Sequence, residues 1–100
     1  MAFRVVWSQT ALNDIKDVVR YISIDSPARA QSFAFKIISE IDRLALSPYI
    51  GRAVPEYHCT AIREIIVRPY RVVYRLDESS KALEITRIWH AARGEPGLDE

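Results

Sequence analysis

The stretch Ile62-Arg63-Glu64-Ile65-Ile66-Val67-Arg68-Pro69-Tyr70-Arg71-Val72-Val73-Tyr74-Arg75-Leu76 decides the architecture. Its first six residues are β-branched and isoleucine-rich, the composition of a central strand. Pro69 has no N–H to give a ladder, so the chain must turn at Arg68-Pro69. From Tyr70 onward the period is two. Tyr70, Val72, Tyr74 and Leu76 share one face of a second strand, and Arg71, Val73 and Arg75 share the other. Asp77 to Lys81 reads as a polar hairpin loop, and Leu83 to Trp89 as a third strand.

Upstream, Phe3 to Trp7 is a short strand. Ser8 stands where a helix needs an N-cap. Leu12, Ile15, Val18, Val19 and Ile22 then recur at helical spacing, with Asn13, Asp14, Lys16, Asp17 and Arg20 on the opposite side. Asp25-Ser26-Pro27 ends this helix near Ile24 and starts another, with Ser26 as cap and Pro27 in the first helical position. Ala30, Phe33, Ala34, Ile37, Ile38, Ile41, Leu44 and Ala45 mark its apolar face, and Pro48 and Gly51 end it. Residues 47–60 hold no consistent period and read as a loop of functional length.

The predicted order is β-α-α-β-β-β, an α+β fold with an N-terminal helical hairpin packed on one face of a small, mostly antiparallel sheet. Leu12, Ile15, Val19 and Ile22 are expected to be buried with Phe33, Ile37, Ile41 and Leu44. The other face has no helix left to cover it. It should show Arg71 and Arg75 to water, and function is sought there. One domain is expected over residues 1–93, with a frayed tail at 94–100.

The 100 residues suit a single hydrophobic core, and 49% hydrophobic with 27% charged residues is ordinary for a globular protein. A net charge of +1 is too small for a generic nucleic-acid coat, and the composition is too apolar for a disordered tail. No hydrophobic run exceeds three residues, which predicts neither a membrane span nor a signal-peptide core. The single Cys59 cannot form an intrachain disulfide, which fits a reducing cytoplasm. The charge is uneven, however. Residues 8–50 carry five basic and five acidic side chains, whereas 52–93 carry eight basic against five acidic, and eleven of the fourteen cations are arginine. Arginine's planar fork suits carboxylate or phosphate.

Several fragments together resemble the RelE/ParE toxin superfamily: Trp7-Ser8 leading to Ala11-Leu12-Asn13-Asp14-Ile15; Ser47-Pro48-Tyr49-Ile50-Gly51-Arg52; Ile62-Arg63-Glu64; Tyr70-Arg71-Val72-Val73-Tyr74-Arg75; and Ile88-Trp89-His90 to Arg93. The resemblance spans residues 3–93. It implies a cytoplasmic toxin of a bacterial type II toxin–antitoxin module, bound in a hetero-oligomer by a cognate antitoxin with an acidic C-terminal segment. It implies no cofactor, no metal and no membrane.

The superfamily contains two chemistries. RelE-like members cut messenger RNA on the ribosome without metal, and need cations on the phosphate and groups placed for proton transfer. By resemblance, Arg71 falls at a phosphate-binding arginine, Arg63 near a strand lysine, and His90 at an acid/base histidine. A tyrosine that follows that histidine is Ala91 here, and the closest substitute for another missing arginine is Arg93. ParE-like members inhibit DNA gyrase by binding and need no catalytic set. The Pro-x-x-Gly-Arg-x-Val-Pro-Glu stretch at 48–56 and the scarcity of lysine resemble that branch more. The reading therefore leans to a ParE-like, non-enzymatic gyrase binder, with Arg52, Arg71, Arg75 and Arg93 as partner-binding residues. The ribosome-dependent ribonuclease is the alternative, and a non-toxic protein-binding module with an exposed basic sheet is the second.

Plainer roles stand beside each of these. A histidine at a strand end is more often a hydrogen-bonded structural residue than a general acid, which is the plain reading of His90; His58 reads as a surface residue, and Arg52 equally as a brace to Glu56 or a partner contact. Trp89 shares parity with Leu83 and Ile85, which argues for core.

Overall fold

The computed structural model describes residues 2–57 and 59–93. His58 and the 94–100 tail lie outside the described residues. Strand β1 (Arg4–Trp7) leads into helices α1 (Gln9–Asp25) and α2 (Pro27–Leu46), followed by β2 (Arg52–Ala53), β3 (Ile62–Val67), β4 (Tyr70–Asp77) and β5 (Ala82–His90). Single turns of 3-10 helix occupy Pro55–Tyr57 and Ala91–Arg93. One five-stranded sheet has the order β1-β5-β4-β3-β2, with β1 parallel to β5 and the remaining pairs antiparallel. The sheet of the expected layout gains one strand. Within the segment read as loop, β2 pairs Arg52 with Glu64 and Ala53 with Arg63.

The helix starts follow the capping chemistry. The Ser8 hydroxyl accepts from the Ala11 N–H at 3.0 Å and donates to the Thr86 carbonyl at 3.1 Å, so one side chain caps α1 and ties it to β5. Ser26 caps α2 by accepting from the Arg29 N–H, with Pro27 in the first turn. Each such cap is worth about 1 kcal/mol.

The core lies between the hairpin and the sheet. Ile37, Ile41 and Leu44 of α2 meet Tyr70, Val72, Tyr74 and Leu76 of β4 and Leu83, Ile85 and Ile88 of β5, with Ala11 from α1. The α1 stripe differs from expectation. Ala11 is the buried residue of that helix, Ile15 and Val18 pack at the core margin, and Leu12, Val19 and Ile22 are only half-buried. Ile38 of α2 is 48% exposed. A helix turns only about a third of its circumference to a sheet, and both apolar stripes are wider than that. Their outer flanks therefore remain in water.

The second face of the sheet is not bare, contrary to the sequence-based expectation. Val73 is fully buried, Glu64 and Val54 are 1% exposed and Arg71 is 7% exposed. The reason is the 52–57 segment. Val54 donates its N–H to the Ile62 carbonyl, and the following 3-10 turn carries Glu56 back over Arg71. Arg75, farther along β4, is only half-buried.

A bulge corrects the placing of Trp89. Tyr74 pairs with Ile85 but Val73 pairs with Arg87, so Thr86 has no opposite number. One extra residue moves every later side chain to the other face. Ile88 therefore enters the core, and Trp89 sits on the second face opposite Arg71. No helix among the described residues is long and apolar enough to cross a membrane.

Candidate functional site

The second face is organised around Glu64. Its side chain is wholly buried in a central strand, a position that demands cationic partners. One carboxylate oxygen accepts from Arg52 Nε at 2.7 Å and the other from Arg71 Nε at 2.5 Å. The terminal nitrogens of Arg71 then donate to both oxygens of Glu56, at 3.3 and 3.1 Å. Two cations and two anions thus alternate along a row, Arg52–Glu64–Arg71–Glu56. Burial pulls the Arg71 guanidinium toward deprotonation, but the hydrogen bonds it donates to Glu56 and Glu64, with their negative charges, outweigh burial and its pKa rises. The same bond from Arg71 holds the Glu56 carboxyl below its ordinary value. Arg71, expected on a bare face, is therefore clasped on both sides by carboxylates. Arg52 braces the loop through Glu64 rather than through Glu56.

Arg63 lies on the helix side of β3 and is absorbed by the backbone of the preceding loop. Its guanidinium donates to the carbonyls of Thr60 at 3.0 Å and Gly51 at 2.9 Å and lies over the Tyr49 ring at 5.0 Å. The buried Tyr74 hydroxyl completes that anchorage by donating to the Pro48 carbonyl at 2.8 Å and accepting from the Gly51 N–H at 3.0 Å. A Cβ at position 51 would lie 2.6 Å from the Glu64 carbonyl oxygen and collide with the Tyr74 hydroxyl, so the close approach requires glycine.

His90 is on the opposite face from Arg71. It pairs with Tyr70, meets that ring edge-on at 5.2 Å, and accepts the Ala92 N–H on Nδ1 at 3.1 Å. Tyr70 in turn leans on Phe33 at 5.3 Å. His90 lines a groove of about 790 Å³ between α1 and the end of β5, with Val18, Tyr21, Ile22, Tyr70 and Arg93. The structure therefore gathers Arg52 and Arg71 in one cluster, sets His90 in a groove on the other face, places Arg93 along that groove with its guanidinium on Trp89, and leaves Arg63 and Arg75 in neither.

Three residues outside the sequence-based site share this part of the molecule. Asp14 accepts from Arg87 Nε at 2.8 Å and from the Ile88 N–H at 3.0 Å, sealing the edge of β5 beyond the end of β1. Arg87 and Arg93 stack their guanidiniums on Trp89, at 4.6 and 4.2 Å from its ring. The signal for Glu64 was available in the sequence: a lone carboxylate in an isoleucine-rich strand, on the parity that pairs it with the face of Arg71. Among the described residues no three of His, Cys, Asp and Glu gather as a metal cluster.

The family model described as the ParE toxin of the type II toxin–antitoxin system parDE matches residues 5–94. Toxin RelE2 of Caulobacter vibrioides is 36% identical over 90 residues, covering 90% of this chain and 97% of the relative. Among solved structures, a chain of the chromosomal ParDE system from P. aeruginosa superposes with a TM-score of 0.71 at 18% identity, covering 89% of this chain and 96% of that one. A chain of the toxin–antitoxin complex RelBE2 from Mycobacterium tuberculosis gives 0.61 at 22% identity, covering 90% and 99%.

Proposed function

The chain belongs to the ParE toxin family of type II toxin–antitoxin systems, and from that membership we propose that it arrests growth in the cytoplasm by binding DNA gyrase, without catalysis, until an antitoxin covers it. The observation that carries this reading is the separation of Arg71 from His90. A metal-free ribonuclease needs a cation and a proton-transfer group converging on one phosphate. Here the two side chains project from opposite faces of the sheet, and the cation is already held by Glu64 and Glu56. A binder needs no such convergence.

A second reading, ribosome-dependent RNA cleavage, is favoured by the name of the relative RelE2. Two assays with the purified chain separate them: gyrase supercoiling, and cell-free translation followed by message sizing. Blocked supercoiling with intact message supports the gyrase reading, and cut message with normal supercoiling overturns it.

The partner is an antitoxin whose acidic, otherwise disordered segment orders along the helical hairpin and the edge of β5. The groove beside Tyr21, Ile22 and Tyr70 supplies apolar surface; its carboxylates are already paired, Asp14 with Arg87 and Asp17 with Arg20, whereas Arg93 stacks on Trp89 and makes no ion pair among the described residues. Ordering on apolar surface gives a clearly negative heat-capacity change of binding, measurable by calorimetry with the product of the neighbouring reading frame.

A further inference from the structure

Leu46, Tyr49 and Ile50 stand 77, 49 and 57% exposed within five residues at the end of α2. Turns of this kind are ordinarily polar and mobile. This one is apolar and fixed from within. The buried Tyr74 hydroxyl grips the Pro48 carbonyl and the Gly51 N–H, Arg63 grips the Gly51 carbonyl, and the Ile50 N–H closes on the Ser47 carbonyl at 3.1 Å. Phe3 backs the Tyr49 ring edge-on at 6.5 Å while Arg63 lies over it. None of these bonds buries the three side chains. They hold the turn so that large apolar groups face water in one conformation, which lowers the entropic cost of docking.

The surroundings say what kind of surface fits. Arg63 makes no ion pair among the described residues, and Arg52, 65% exposed, shares its one carboxylate with Arg71. The neighbouring Arg43 is neutralised by Glu40. The guanidinium of Arg63, stacked on Tyr49 and paired with no carboxylate among the described residues, therefore puts a cation at the edge of the apolar tip, and an aromatic stacked with arginine is a common composition of binding hot spots. It also lies at the other end of the strands from the His90 groove, since it packs on Phe3 while the groove lies beside Pro69 and Tyr70.

We propose that the 46–50 turn is the surface through which the chain grips its growth-related target, a protein presenting an apolar pocket rimmed by carboxylates. This rests on the reading of the chain as a toxin that acts by binding. The test uses Leu46→Asp, Ile50→Asp and the milder Leu46→Ser in the full chain, with Phe35→Asp as an equally exposed apolar control on α2. Growth on induction, inhibition of purified gyrase, thermal midpoint and co-purification with the neighbouring-frame antitoxin are measured for each.

The turn variants should keep the midpoint and the antitoxin complex, stop arresting growth, and need roughly 30-fold more protein to inhibit gyrase, the loss typical of a removed anchor. The Phe35 control should inhibit like wild type. Turn variants that still arrest growth at wild-type levels would overturn the proposal while leaving the binding reading in place. Loss of the antitoxin complex in the same variants would overturn it too, by assigning the turn to the antitoxin. A wild-type chain that neither slows growth nor inhibits gyrase would remove both together.

Discussion

The helix-covered face of the sheet and the face beneath the 52–57 segment bury their residues by different means. On the first, Ile37, Ile41 and Leu44 meet Val72, Tyr74 and Leu83, and stability comes from apolar area. On the second, a two-residue strand and one turn of 3-10 helix are too small to cover a sheet with hydrocarbon. Glu56 and Arg52 reach Arg71 and Glu64 instead. Arginine on an alternating strand is therefore not by itself a free cation. A short covering segment that carries a carboxylate turns it into architecture.

The largest effect that sharpens this contrast is expected at Glu64. Glu64→Ala leaves Arg71 buried with Glu56 alone and should cost about 3–5 kcal/mol in chemical denaturation. The double substitution Glu64→Leu with Arg71→Met removes both charges and should restore stability to near wild type. A single substitution that costs nothing would mean the cluster is solvated. On the helix face, Ile37→Ala should cost roughly 2–5 kcal/mol, set by the cavity it leaves, and no change in the double variant's background should alter that figure.

Between the faces, Tyr74→Phe keeps the packing but strands the Pro48 carbonyl and the Gly51 N–H. A loss of about 1–3 kcal/mol is expected, read from the shift in urea midpoint. The smallest effect is electrostatic and pH-dependent. Glu56 titrates below its ordinary value of 4.5 because Arg71 favours its charged form. Its contribution is thus present above the unfolded value and is lost as pH falls through the folded one. The stability difference between wild type and Glu56→Gln should close as pH falls below 4.5. A gap that persists in acid would assign the Glu56 contribution to packing.

Much of the fold was legible from short-range signals. The period of two from Tyr70, the Ser8 and Ser26 caps and the Pro69 turn each report a local constraint, and the strands and helices follow them. What was not legible depends on contacts between distant segments. The return of Glu56 over Arg71 joins residues 15 apart, and nothing in the local pattern of 47–60 shows it. The bulge at Thr86 carries no strong sequence mark, yet it moves Trp89 out of the core and sends Arg71 and His90 to opposite faces. Among the candidate residues the cations are legible from their positions, whereas the carboxylate that joins Arg52 to Arg71 is not: in the sequence Glu64 stands only within a strand and a family fragment.

The separation of Arg71 from His90 is tested most directly by inducing His90→Ala in cells, with fold and antitoxin binding checked on the same protein. A proton-transfer group contributes about 10²–10⁴-fold, so a nuclease lacking it would lose its toxicity. The His90→Ala chain is expected to arrest growth as wild type does. A folded, antitoxin-bound His90→Ala chain that no longer arrests growth would contradict it and move the family member to the ribonuclease branch.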